Sequence, residues 1–131
     1  MPNNHSEVLE ATLDAEEALI GSILLESSNG SRETINKVAL ILKPQDFYDE
    51  RHQVIFKAMI QCPLPPQQIN TARQIRANNE LAKDIISHMS HCIATVPCSL
   101  DYQYYAEAVL KYSELRTGKK RPHVKGAQCQ S

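Results

Sequence analysis

The stretch Lys43–Met59, KPQDFYDERHQVIFKAM, decides how the chain is read. Two acids, an arginine and a histidine crowd into Asp49–His52, directly after Phe47 and Tyr48. A cluster of that kind invites a catalytic reading, because acid–base chemistry uses converging ionisable groups with shifted pKa values. The order of the residues points instead to the start of a helix. Asp49 stands where an N-cap belongs, and Glu50 falls in the first turn, where the positive end of the helix dipole favours an acid. Beyond them Val54–Ile55 and Ala58–Met59 repeat at i and i+4, the spacing of one buried helix face. Phe47 and Tyr48 can pack back on that face, and Pro44 ends whatever helix precedes.

Working outward, the same period recurs on both sides. In LDAEEALIGSILLE (13–26), Ala15, Leu19 and Ile23 fall at i, i+4 and i+8, widened by Ile20 and Leu24. Asp14 is the expected cap there, with Glu17 reaching back as in a capping box. RETINKVALIL (32–42) places Ile35, Val38, Ala39 and Leu42 on one face. On the other side CPLPPQQ (62–68) is a linker, since three prolines in four residues do not propagate a helix. INTARQIRANN (69–79) sets Ile69, Ala72 and Ile75 inward and Arg73 and Arg76 outward, and Asn78–Asn79 makes a plausible stop. ELAKDIISHMSHCIATV (80–96) carries Leu81, Ile85, Met89 and Cys92 at helical spacing, so the short join predicts an antiparallel hairpin. Ser99 and Asp101 open a last helix, in which Tyr105, Ala108, Val109 and Tyr112 form the inner side.

The expected architecture is therefore all-α, with about six helices. A flexible N-terminus (1–8) leads into a helical head (9–62), an antiparallel hairpin (67–96) and a closing helix (99–117). The tail 118–131, GKKRPHVKGAQCQS, has four basic residues, no acids and no periodic apolar positions, and reads as disordered. Composition agrees with a globular chain: 131 residues, 42% apolar and 22% charged. The net charge of −1 hides a split, −7 over residues 1–50 against +6 over 51–131. The start has neither basic nor apolar signal region, and no run approaches a membrane span, so the expected location is cytoplasmic and away from membranes. Four cysteines without a secretory context read as reduced thiols.

The sharpest group for chemistry is HMSHCIATVPC (88–98). On a helix His88, His91 and Cys92 share one side, and Cys98 is a conceivable fourth ligand of a tetrahedral zinc site. The spacing fits none of the common zinc signatures, and Cys92 also lies on the apolar stripe with Ile85 and Met89. We therefore expect core packing there, with no metal and no cofactor. No nucleophile, base and orienting group are spaced to act together. The glycines, at 21, 30, 118 and 126, include no pair five apart, so the phosphate-cradling pattern GxxxxGK[ST] is absent from these 131 residues. Lys119, Lys120, Arg121 and Lys125 are candidate phosphate contacts, which would make any DNA contact indirect or confined to the tail.

Three blocks in this order resemble the N-terminal domain of DnaB-type replicative DNA helicases: DAEEALIGSILL (14–25), VALILKPQDFYDERHQVIFKAM (38–59) and VPCSLDYQYYAEAVLKYSELR (96–116). The resemblance runs over about residues 9–117 and is most specific at Pro44-x-Asp46-Phe47-Tyr48. It implies an all-helical domain with a protruding hairpin that pairs with others, forming a collar that docks primase and loader on a hexameric ring. The ATP-driven motor of such proteins lies in a separate domain. The resemblance therefore implies a non-catalytic interaction or oligomerisation module of DNA replication, not an enzyme on its own. Ile75, Ile85, Ile86, Met89 and Ile93 are the expected hairpin interface, and a homo-oligomer, helicase, primase or loader the expected partner. The alternatives are a decoy or regulator that enters or inhibits a helicase ring, and a small zinc-binding or nucleic-acid-binding protein.

Overall fold

Six α-helices and no strand make up residues 5–78, 82–96 and 101–119, the part that the computed structural model describes. Helix α1 runs from His5 to Glu26. Glu, Leu and Ala continue upstream of Asp14 with no breaker, so the helix begins about two turns earlier than expected. The Thr12 hydroxyl donates to the Val8 carbonyl at 2.8 Å, a bond inside the helix. Asp14 is therefore a mid-helix residue facing solvent, and the cap expected there does not form. Residues 5–8, expected to be part of a flexible segment, are the first helical turn.

A 3-10 turn, Ser27–Asn29, follows α1, and Gly30 at φ 89° takes the left-handed conformation that ends it. Helix α2, Glu33–Ala39, buries Ile35 and Val38. Ser31 accepts the Glu33 N–H at 2.9 Å at its start. Arg32 then reaches across the fold to the carbonyls of Met59, Cys62 and Leu64, satisfying the open C-terminal end of α3 and the start of the proline linker.

The opening stretch is a joint. Pro44–Asp46 forms a second 3-10 turn, with Phe47 buried behind it at 4.9 Å between ring centroids from Phe56. Helix α3, Glu50–Gln61, starts at Asp49, whose side chain accepts the Arg51 N–H at 2.8 Å. Helix α4, Gln68–Ala77, lies on α3, while α5, Ala82–Thr95, and α6, Tyr102–Thr117, both lie along α1. At Gly21 a Cβ would stand 2.3 Å from the Cys92 carbonyl oxygen, so α1 and α5 approach with their backbones nearly touching. Only glycine fits.

One core joins all six helices, from Leu19 and Ile23 through Ile55 and Met59 to Ile75, Met89 and Val109. Full burial of each such side chain contributes about 1.5–3 kcal/mol. Three details differ from the pattern-based reading, the first being Ala39, which is exposed at the end of α2. Ile69 faces solvent, because α4 turns Thr71, Ala72 and Ile75 inward instead. In α6 the buried set is Ala106, Val109, Leu110 and Ser113, with Ala108 and Tyr112 on the flank. Ser113 is inside because Asp46 is there to accept its hydroxyl, at 2.9 Å. A hydrophobic pattern ranks a serine as surface and so rotates the helix. The α4–α5 hairpin does not stand off the head; its apolar stripe is buried against α1 and α3.

Candidate functional site

The most unusual feature of this helical domain is a polar cluster in its interior. Glu16 lies on the α1 turn just before the Leu19–Leu24 apolar face and is fully buried. One carboxylate oxygen accepts the Tyr48 N–H at 2.6 Å; the other accepts the Asp49 N–H at 3.2 Å and the His52 Nδ1–H at 2.7 Å. A buried carboxylate is strongly unfavourable unless its lone pairs are satisfied. Here two amides at the start of α3 and an imidazole satisfy them. With its Nδ1–H donated to Glu16, a neutral His52 ring presents the lone pair of Nε2 on its far side. That nitrogen meets His88 Nε2 from α5 at 2.9 Å, so the His88 N–H donates. The rings lie 24° from parallel, with centroids 5.0 Å apart, close to the N···N distance plus a ring radius at each end. They meet edge to edge.

Cys92, one helical turn beyond His88, brings its thiol to the same place. The ligand atoms of His52, His88 and Cys92 all lie within 4.8 Å of one another. Glu17, expected as part of a helix cap, closes the outer side. Its carboxylate stands 3.3 Å from His91 Nε2 and 3.9 Å from His88 Nε2. Burial, together with the charge of Arg51, holds His88 down at about 4, so it is neutral near pH 7. Burial also pushes the Cys92 thiol up to about 12, with Glu17 adding to the shift. A thiol held that high is a poor nucleophile. Glu16, His52 and Cys92 are fully buried, which leaves the His88–Glu17 side as the part of the cluster nearest solvent.

The candidate metal ligands are thus only partly brought together. His88 and Cys92 converge, whereas His91 points outward to Glu17 and Cys98 lies outside the described residues. His52, which the helix-cap reading placed on a polar helix start, is the missing member. Its pairing with Glu16 spans 36 positions, and no local spacing announces such a contact. Glu50 stands exposed in the first turn of α3, as its place in the sequence suggests. Lys119 is exposed; Lys120, Arg121 and Lys125 lie outside the described residues. Cys62 and Cys92 are free thiols.

The expected hairpin interface needs correction. Ile75, Ile85 and Met89 are interior, at 0%, 7% and 0% exposure, and Ile86 and Ile93 are half-buried against the same core. The close approach at Gly21 uses the apolar face of α5 within the chain and leaves little of it for a partner. Apolar side chains that do face solvent include Leu40, Leu64, Ile69, Tyr104 and Leu115. A shallow groove also runs between α1 and α6, with Ala11, Ala15 and Ala18 on one wall and Tyr104, Tyr105 and Tyr112 on the other. Among the described residues no helix is long and apolar enough to cross a membrane.

Comparison with known proteins agrees with this fold. The model of the DnaB-like helicase N terminal domain matches residues 8–111. The replicative DNA helicase DnaC of Bacillus subtilis (strain 168) is 31% identical over 108 residues, which are 79% of this chain and 23% of the relative. The replicative DNA helicase DnaB of Geobacillus stearothermophilus is 28% identical over 109 residues, 80% of this chain and again 23% of the relative. The chain thus corresponds to less than a quarter of the length of these curated relatives. Among solved structures, the N-terminal domain of DnaB helicase from Mycobacterium tuberculosis aligns with a TM-score of 0.68 at 28% identity, covering 79% of this chain and 74% of that one. The corresponding domain from Helicobacter pylori aligns at 0.67 and 18% identity, covering 87% and 88%, and supports the fold alone. With the family match running from the first turns of α1 to the middle of α6, this chain belongs to the DnaB-like helicase N-terminal domain family.

Proposed function

We propose that this domain is a non-catalytic docking module of a replicative DNA helicase, and that its partner is primase. The family match over residues 8–111 carries the reading. The Helicobacter pylori relative is described with its interactions with primase, which suggests the partner. The interior polar cluster favours docking over catalysis, because its ionisable groups stabilise the fold from inside. For the docking face, the α1–α6 groove fits better than the hairpin. Its tyrosine wall offers rigid, amphipathic side chains of the kind that dominate interfaces, and exposed Val8 continues the Ala11–Ala15 face by helical spacing.

The test is titration of the purified chain with a bacterial primase, read by co-elution and calorimetry. We expect a complex that Tyr104→Ala weakens by at least about 1 kcal/mol, with the melting temperature unchanged because Tyr104 is exposed. Absence of binding to primase at tens of micromolar, or turnover of ATP by the chain alone, overturns the reading.

A further inference from the structure

We infer that His52, His88 and Cys92 form a binding site for a zinc-class divalent metal ion, completed from the outer side by Glu17. Four independent features of the cluster point the same way. First, the donor set is two imidazoles and a thiol, the borderline-soft set that zinc prefers. Second, the donor atoms already lie within 4.8 Å of one another, and the two imidazole nitrogens are 2.9 Å apart. A tetrahedral ion at ordinary bond lengths separates two nitrogens by about 3.3 Å and a nitrogen from a sulfur by about 3.6 Å. Spreading the nitrogens by a few tenths of an ångström and drawing the Cys92 thiol in by up to about 1.2 Å, through side-chain rotation, therefore admit the ion.

Third, Glu16 holds His52 as an outer-shell carboxylate holds a ligating histidine. It fixes the proton on Nδ1 at 2.7 Å and aims the Nε2 lone pair at the site. Fourth, the Glu17 carboxylate stands 3.9 Å from His88 Nε2, at the one partly open side of the cluster. It offers an oxygen to the ion directly or through a bound water, and it marks the entry path. Thiolate and Glu17 together balance a doubly charged ion, which removes the cost of an unpaired charge inside the core.

The exchange balances without any electron transfer. The ion takes the place of the hydrogen-bonded proton between the two rings, and the proton on His88 moves from Nε2 to Nδ1. Cys92 loses its thiol proton to solvent as the metal–sulfur bond forms. One proton is released for each ion bound. The bond links α3 to α5, while α1 already grips both through Glu16 and Glu17, so binding clamps three helices of the head.

The experiment adds cobalt(II), then zinc(II), to the full chain after chelator treatment. Cobalt is expected to bind one to one, with a thiolate-to-metal charge-transfer band that zinc abolishes, and with release of one proton. Cys92→Ala leaves a small, folded core position and should remove the band and weaken binding at least 100-fold. His88→Ala at the rim should weaken it similarly, and His91→Ala should change it less than twofold. Absence of the band in the folded wild type overturns the site. So does a band that survives in Cys92→Ala, because the thiolate would then belong to Cys62, Cys98 or Cys129.

Discussion

Glu16 and Asp46 are both acids sunk below the surface, and both tie the Lys43–His52 joint to a helix far away in sequence. They do so with different chemistry. Asp46 accepts the Lys43 N–H at 2.7 Å and the Ser113 hydroxyl at 2.9 Å, and Arg116 donates to its backbone carbonyl at 2.7 Å. These partners are an amide, a hydroxyl and a guanidinium, and Arg116 also lies over the Tyr48 ring, 5.6 Å from its centroid. Glu16 also accepts amides, but its third partner is an imidazole with a second nitrogen. Through His52 the network continues to His88 and Cys92. One anchor fastens α6 to the joint; the other opens into a chain of ligand-type atoms. Within one short joint, the same residue class both locks α6 and organises a site between α3 and α5.

The largest effect separating the two anchors should come from Glu16→Ala. It leaves two amides and the His52 Nδ1–H without an acceptor in the interior, so a loss of about 3–5 kcal/mol is expected. That is a large share of the stability of a domain this size. Urea unfolding checks it, and a loss below about 1 kcal/mol would mean that the network contributes little. Asp46→Ala should cost less, about 1–3 kcal/mol, because Lys43 is exposed, so its amide can turn to water, and the Ser113 hydroxyl can rotate toward another acceptor. If the two variants proved equal, the distinction between the two anchors would lose its energetic basis.

The same contrast explains what the sequence discloses. The stripes of α1, α3 and α5 are legible because each helix buries residues at a period set by its own geometry, as Leu19–Ile23 and Ile85–Met89 do. The joint is legible as a helix start because Asp49 caps α3 through a bond two residues away. Glu16 with His52, and Asp46 with Ser113, are not legible, because each pair joins helices whose approach is set by the whole core. Ser113 and His52 therefore read as surface although both are buried. Ile69 reads as core although it is exposed, since spacing alone leaves the edge of a short helix undecided. The error at Asp14 has a different source: a good cap residue does not start a helix when good helix formers precede it.

Asp49, the acid of the joint that caps α3, provides the finest test. It sits at the rim, where burial alone would raise its pKa, but hydrogen bonds from the Arg51 side chain and backbone outweigh that and hold it at about 2, below the ordinary 3.8. A carboxyl with a lower pKa folded than unfolded contributes stability above the unfolded value and loses it as pH falls toward the folded one. Its contribution is thus complete above about pH 4 and fades between there and about pH 2. Asp49→Asn keeps a capping oxygen and removes the charge, so the cost at pH 7 should stay below about 1 kcal/mol. The difference between wild type and variant should then shrink as pH falls through that window. Urea midpoints at about pH 6, 4 and 2.5 measure it. A difference that stays constant across the three would mean that Asp49 acts as a neutral cap, leaving Glu16 and Asp46 as the acids through which the joint holds the fold.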